Sequence, residues 1–357
     1  MGNFFNSKLE IEEINNGYIL PLKKGKGGVL NKEKEFVPLS FHNGEFFKFG
    51  GSYKFRDVKY VNETIIYLGV YINQWGHFIL DSLSRAWVLT HLNNEEKENV
   101  KVAFINKNGQ IHGNYLDAIT FLGINSKNVI NVNSVIQAKK IIVPQMSMNE
   151  KHEYNKEYIG IFNTIVKNSN YETFNVPKRV YLSRTKLSEA KHKEFGEKNI
   201  EINFKYNGFE VEYPERLTLA QQISIFQKAE VIVSLNGSIP LNIVFASPNL
   251  KLIVINKTSI PHTNLQVLSK MKRIIPTYLD GYFEPYKRFP MSLGEGPFFI
   301  IFGRALKHFF EENQFNIITI EKISKFDYIR YNFVCIKVIF KNFIRKILKL
   351  YVNFFSS

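Results

Sequence analysis

From residue 64 onward the sequence repeats one pattern: a short unbroken apolar run, then a longer segment with helical spacing. "TIIYLGVYI", "KVAFIN", "NVINV" and "AKKIIVPQ" are short, β-branched and do not alternate in polarity. Such runs read as strands covered on both faces, the mark of a parallel sheet under helices. "NQWGHFILDSLSR" and "NYLDAITFLGI", the latter closing near Gly123, supply helical patterns between them. A second series starts at Pro177: strands "KRVYLSR", "EVEYP", "EVIVSL" and "LKLIVIN", with helices "EFGEKNIEINFKYNGF", closed at Gly208, and "TLAQQISIFQKA", capped at Thr218. "NGSIPLNIVFA" reads as a turn into a further helix. A chain of 357 residues exceeds what one core usually supports. The fold class predicted is α/β, with two Rossmann-like doubly wound domains facing a ligand-binding cleft.

The boundaries follow from shifts in composition. Residues 1–60 alternate short apolar runs with Gly, Asn and Lys turns and read as a β-rich lead-in. Residues 61–170 form the first doubly wound domain and 171–285 the second. Residues 286–325 are a mixed return segment, and 326–357 a helix. On a wheel of that helix Lys337, Lys341, Arg345, Lys346 and Lys349 fill one half; Ile336, Ile339, Phe340, Phe343, Ile347 and Leu350 fill the other. A basic amphipathic helix with no acid after Asp327 suits an anionic membrane surface, here through residues 330–355. A terminal helix docked on its own protein gives the same wheel.

The formal charge of +15 calls for an anionic partner, and its concentration near the C-terminus points away from nucleic acid. One cysteine, Cys335, excludes an internal disulfide and Cys-rich zinc. No His/Asp/Glu cluster has ligand spacing, so no metal and no cofactor are expected. The opening "MGNFFNSKLEIEEINNG" lacks the apolar core of a secretory signal, and no 18 uncharged apolar residues run together. The expected location is cytoplasmic, peripherally on the inner face of the membrane.

Two places carry candidate chemistry. In "QWGHFILDSLSR", His77, Asp81 and Arg85 recur at steps of four, which on a helix stacks them on one face, opposite Ile79, Leu83, Ala86 and Trp87. A solvated face gives the same pattern, and spacing alone does not separate the two. In "VIVSLNGSIPLN" a strand enters a Gly-containing turn that opens a helix, a seat for an anion at free backbone N–H groups. Arg184 ends the strand "VYLSR" at the edge where doubly wound sheets bind ligands.

Three stretches together resemble glycosyltransferase family 61, whose bacterial members are often capsular or surface polysaccharide biosynthesis proteins. They are "NQWGHFILDSLSR", "VYLSR" with "GEKNIEINFKYNGFEV", and "PERLTLAQQISIFQKAEVIVSLNGSIPLNIVF". The resemblance implies a GT-B transferase, inverting and metal-independent, moving a sugar from a nucleotide-sugar donor to a polysaccharide or lipid-linked acceptor. It implies that Arg184 meets the donor phosphates, joined by Asn236, Gly237, Ser238 and Asn242. The family has a His where Asn236 stands, so this position can donate a hydrogen bond but holds no charge. That departure motivates an alternative, a catalytically inactive polysaccharide-assembly or carbohydrate-binding protein. Glu197 holds Arg184, touches the nucleotide ribose, or is a plain helix-surface residue; the sequence leaves all three open. An inverting transferase needs one general base; His77 or Asp81 could serve, or Asp81 could orient His77, with Arg85 on the acceptor side.

Overall fold

The computed structural model describes residues 4–107 and 109–354, with side chains to residue 348. The chain divides into two compact units, Met1–Phe174 with Thr218–Ile223, and Asn175–Leu217 with Ser224–Ser357. Both mix strands and helices, as the alternating pattern predicts.

In the first unit the strands are β1 (Ile11–Asn15), β2 (Tyr18–Lys23), β3 (Lys26–Leu30), β4 (His42–Asn43), β5 (Lys48–Phe49), β6 (Lys59–Tyr71), β7 (Val100–Asn106), β8 (Val129–Val132) and β9 (Ile136–Pro144). The helices are α1 (Trp75–His77), α2 (Asn94–Asn99), α3 (Gly113–Phe121) and α4 (Lys156–Asn168). The apolar runs do become parallel neighbours, in the order β8-β7-β6-β9. Of these four, β6 comes first in sequence and lies inside the sheet, so the chain reverses its travel across the sheet beside it. Ile65, Tyr67, Ala103, Ile105, Ile141 and Val143 form the buried face beneath. Residues before 60 are part of this same sheet: β1 and β2 pair antiparallel with β9, and β3 extends it beyond β2. The sheet is therefore mixed rather than all-parallel.

In the second unit the strands are β10 (Arg179–Leu182), β11 (Glu194–Phe195), β12 (Glu210–Glu212), β13 (Val231–Leu235), β14 (Lys251–Asn256), β15 (Thr277–Asp280), β16 (Tyr282–Phe283) and β17 (Phe298–Ile300). Helices α5 (Ser188–Lys191), α6 (Glu197–Tyr206), α8 (Thr263–Lys272), α9 (Arg304–Glu312) and α10 (Lys325–Phe354) belong to it, while α7 (Leu219–Lys228) begins in the Thr218–Ile223 segment counted with the first unit and ends in the second. Five strands run parallel in the order β12-β10-β13-β14-β15, so the reversal here falls between β10 and β13. Tyr181, Val233 and Ile255 pack over Ile200 and Phe204 of α6. Thr218 caps α7 reciprocally: Gln221 N–H donates to its Oγ1 at 3.3 Å while its own N–H donates to Gln221 Oε1 at 2.9 Å. A separate small sheet, β11-β17-β16, backs this unit.

Two expected helices take other forms. The stretch after β6 is broken into α1, one wide π-turn over Phe78–Ser82, and a 3₁₀ segment over Ala86–Thr90. Hydroxyls compete with the helical ladder: Ser82 Oγ accepts from Ile72 N–H at 3.2 Å, and Ser84 Oγ donates to the Asp81 carbonyl at 3.0 Å. There is no wet face. Asp81, Ser84 and Arg85 are as buried as Ile79 and Leu83. After β13 the chain forms a 3₁₀ segment, Ile239–Phe245, with Pro240 in its first turn rather than an α-helix. The dipole expected to seat an anion is correspondingly weak there.

Gly196 joins β11 to α6 at φ +104°, and a Cβ there would run into the carbonyl of Ile300. Gly196→Ala should lower unfolding free energy by about 2 kcal/mol or more, read from urea midpoints. An unchanged midpoint would show that the β11–β17 contact can relax.

Candidate functional site

In the first unit the segment after β6 is fastened beside the carboxyl end of β9. Arg85 is wholly buried, and its guanidinium donates to the carbonyls of Pro144 and, at 2.8 Å, Phe41. Trp87 Nε1 donates to the Gln145 carbonyl at 2.9 Å, and the Ser147 N–H and hydroxyl both donate to the Ser84 carbonyl at 2.8 and 2.6 Å. The turn between β4 and β5 closes over this segment. Asp81 accepts the N–H groups of Glu45 and Phe46 at 3.1 and 3.2 Å, one on each carboxylate oxygen. Gly44 is obligatory in that turn, because a Cβ would stand 2.7 Å from both Asp81 Cγ and His42 Nε2.

His77 stacks on the Phe46 ring at 3.9 Å and 21°. The Lys107 ammonium, just past β7, lies 4.2 Å from the centre of the Phe46 ring and 4.0 Å from that of Phe47. His152 stands 3.3 Å from the Glu45 carboxylate. Burial raises the Asp81 carboxyl to about 6 although two N–H groups oppose it. Burial lowers His77, with Lys107 adding to the effect and Glu45 opposing it. His42 is pushed down to about 3 by burial and by the charges of Arg85 and Lys107. Both imidazoles are therefore neutral at pH 7. Burial also leaves His77 Nδ1 and His42 Nε2 without a hydrogen-bond partner. Of the three residues spaced by four, His77 is half-buried, whereas Asp81 and Arg85 bond to main chain.

In the second unit Arg184 follows β10 and Asn236 follows β13, side by side across the point of reversal. Glu194 on β11 is the centre of a buried charge cluster. Its Oε2 accepts from Arg184 Nε at 2.8 Å and its Oε1 from Lys257 Nζ at 2.7 Å. Burial alone would raise this carboxyl; the two cations outweigh it and hold it at about 2. Burial pushes the Lys257 ammonium down while Glu194 opposes the shift, and the ammonium rests 4.3 Å from the centre of the Phe298 ring. A Cβ on Gly237 would lie 3.8 Å from that ammonium, which places Lys257 directly beneath the Gly237 turn.

Glu197 is buried and holds Arg184 by its main chain rather than by its guanidinium. Its Oε1 accepts the Arg184 main-chain N–H at 2.9 Å and the Tyr181 hydroxyl at 3.3 Å, while Glu194 holds the guanidinium. Burial lifts Glu197 to about 8, against the pull of the Arg184 N–H. Asn236 donates to Asn256 Oδ1 at 3.0 Å, and its own Oδ1 is 2.8 Å from His262 Nδ1. An imidazole therefore does stand at this turn, supplied by the chain after β14. Gly237 and Ser238 are half-buried, and Asn242 is buried within the 3₁₀ segment.

Sequence reasoning missed His42, Lys107, Glu194, Lys257 and His262. Two of these had a signal: "FINK" and "VINK" each place a lysine one residue past a parallel strand, on the edge where such sheets bind ligands. His42 and Glu194 act through folds in the chain that no local pattern displays. Among the described residues no group of His, Cys, Asp and Glu could hold a metal ion.

Because the Glu194 carboxyl falls from an ordinary 4.5 to about 2 on folding, its stabilisation is full above pH 4.5 and is lost as pH drops toward 2. The wild type should lose about 3 kcal/mol across that window through this group, and Glu194→Gln should lose that acid dependence. Urea unfolding at pH 6 and pH 3 captures about 2 kcal/mol of that loss and compares both proteins; equal acid sensitivity in the two counts against it.

No curated protein matches the chain. The family model for Glycosyltransferase 61 matches residues 75–253, which is half of the chain. The matched span begins at α1, immediately after β6, and ends inside β14. It takes in His77, Asp81 and Arg85 in one unit and Arg184, Glu194 and Asn236 in the other. The chain belongs to glycosyltransferase family 61 and is a glycosyltransferase.

Proposed function

We propose that this glycosyltransferase moves a sugar from a nucleotide-sugar donor to a capsular or other surface polysaccharide or to its lipid-linked precursor. In this reading the two units are the doubly wound domains of a GT-B transferase, and transfer inverts the anomeric carbon without a metal. The observation that carries it is positional. In each unit the candidate residues follow the carboxyl ends of the parallel strands at the point where strand order reverses, after β6 in one and after β10 and β13 in the other. Sheets of this kind bind ligands there.

The second unit takes the donor. Arg184 and Lys257 bring two positive charges against one on Glu194, so the cluster keeps a net charge of +1 for the donor diphosphate. Arg184 faces it with a planar, permanently charged donor, and the Asn236–Gly237–Ser238 turn and Asn242 complete the seat. Glu197 fixes the Arg184 backbone. The leaving nucleoside diphosphate departs as the bond from the anomeric carbon to phosphate breaks, and the cations offset its charge.

The first unit takes the acceptor. His77 is the general base: neutral and half-buried, its imidazole accepts the proton of the acceptor hydroxyl as that oxygen bonds to the anomeric carbon. Asp81 holds the turn of residues 44–47 whose Phe46 ring stacks on His77, and Arg85 ties the chain just before β4 to the end of β9 through the Phe41 and Pro144 carbonyls, which is how both serve the acceptor side. The exposed stretch of α10 then lies on the anionic inner face of the membrane, where a lipid-linked acceptor resides. Ile336 and Phe340 are 63% and 62% exposed there, beside Lys337 and Lys341. The wheel positions Lys349 and Leu350 fall outside the described side chains.

With donor and acceptor mixtures from surface-polysaccharide assembly, His77→Ala should lower kcat by about 10²–10⁴-fold while leaving nucleoside diphosphate affinity within about twofold. Full transfer by this variant removes His77 from the role. Arg184→Ala should weaken UDP or GDP binding at least tenfold in titration calorimetry. Equal affinity would sink the donor assignment. On phosphatidylglycerol vesicles, the triple variant Phe333→Ser, Phe340→Ser and Phe343→Ser should fail to sediment with lipid; co-sedimentation at the wild-type level refutes the membrane reading.

A further inference from the structure

The small sheet that backs the second unit has two working faces. β11 and β17 pair in parallel with Glu194 opposite Phe298 and Phe195 opposite Phe299. Alternation along strands puts the first pair on one face and the second on the other. On the first face Glu194 grips Arg184 and Lys257, and Phe298 lies under the Lys257 ammonium. On the second face Phe195 and Phe299 pack in one buried cluster with Phe289, Tyr331 and Cys335, the last two from α10. The Tyr331 ring stacks on Phe299 at 4.3 Å and 9°, the closest parallel alignment among the described ring pairs of this unit. Arg330 places its guanidinium 5.0 Å from the Phe195 ring centre and donates to the Lys191 carbonyl at 3.0 Å.

We propose that the root of α10, through Tyr331 stacked on Phe299 and Arg330 on Phe195, is a positioning element for the Glu194 charge cluster and so for the nucleoside diphosphate of the donor. This rests on the donor reading of Arg184 and Lys257 and adds to it a helix that the family match does not reach. The physical link is short. Each strand is two or three residues long, so β11 has no other length of ladder to fix its position. The Glu194 carboxylate must stay within hydrogen-bond reach of two cations on different segments, and a displacement of about 1 Å breaks one of the pairs. Phe195 is the adjacent residue, and it packs against Phe299 and the root of α10. On this account α10 has two distinct parts. Phe333, Ile336, Phe340 and Phe343 are exposed on one side, whereas Tyr331 and Cys335 at its root are buried in the cluster behind Glu194.

The test compares Tyr331→Leu, which keeps an apolar side chain but loses the ring stack, with Tyr331→Phe, which keeps the ring. Two measurements are made on the full chain: Kd for UDP and GDP, and the fall in urea midpoint between pH 6 and pH 3. The expected result is a tenfold or greater rise in Kd for Tyr331→Leu, Tyr331→Phe within twofold of wild type, and a smaller acid-dependent fall for Tyr331→Leu, approaching that of Glu194→Gln. A Tyr331→Leu protein destabilised equally at both pH values, with unchanged Kd, shows a merely structural residue and overturns the proposal. If the wild type binds neither nucleotide, the donor reading is what fails. The acid-dependent fall then decides the coupling alone: a smaller fall in Tyr331→Leu upholds it, and a wild-type fall overturns it.

Discussion

The second unit is organised around one buried carboxylate. Glu194 is almost completely removed from water, yet it holds its charge because Arg184 and Lys257 each reach one of its oxygens. Taking three charges out of water costs several kcal/mol for each ion, and close pairing with satisfied hydrogen bonds is what offsets that cost. The arrangement constrains the chain widely. Arg184 must follow β10, Lys257 must follow β14, and β11 must bring Glu194 to both. Gly196 is needed immediately after Phe195, because the chain turns there against the Ile300 carbonyl. Removing one partner strands the others, so a backing sheet of very short strands has to be held firmly in place.

Much of the architecture was legible in the sequence because it depends on period. Unbroken apolar runs gave parallel strands, and Gly123, Gly208 and Thr218 marked helix ends where the structure has them. The stretch from Trp75 to Thr90 shows where period misleads. Its apolar residues fit a helix face, but Ser82 and Ser84 turn their hydroxyls on the backbone and break the ladder into π and 3₁₀ turns. The polar residues then point into protein rather than water. Arg85 was readable by position as a candidate residue, but not as a clamp on the Phe41 and Pro144 carbonyls, since those partners lie far away in the chain. The same holds for His42 and Glu194. A buried polar contact between distant segments leaves no periodic trace.

A local trace did exist for two lysines. Ile-Asn-Lys closes β7 and again closes β14, and the two asparagines behave alike. Asn106 donates to Asn133 just past the neighbouring β8, and Asn256 donates to Asp280 at the end of the neighbouring β15, at 3.0 and 2.9 Å. Each asparagine ties two strand ends together, and each following lysine projects beyond the sheet edge. The contexts then separate the two cations. Lys257 is sunk against Glu194, whereas Lys107 stays half-buried on two phenylalanine rings, where its charge helps keep His77 and His42 neutral. One tripeptide serves as a charge support in one unit and as an electrostatic neighbour of the candidate base in the other.

The family match ends at Ile253, four residues short of Lys257 and far short of α10. Both clusters therefore combine matched and unmatched parts of the chain. The turn of residues 44–47 precedes the match, yet it covers Asp81 and stacks on His77; Lys257 and His262 follow it, yet Lys257 shares the Glu194 carboxylate with Arg184 and His262 meets Asn236. His262 is the telling case. Where the family pattern would place an imidazole on the strand-end residue itself, this chain has Asn236 and brings an imidazole to it from the loop after β14, 2.8 Å away. In each unit the candidate residues are therefore built from contacts that reach outside the matched span, and the flanking segments have to be read together with it.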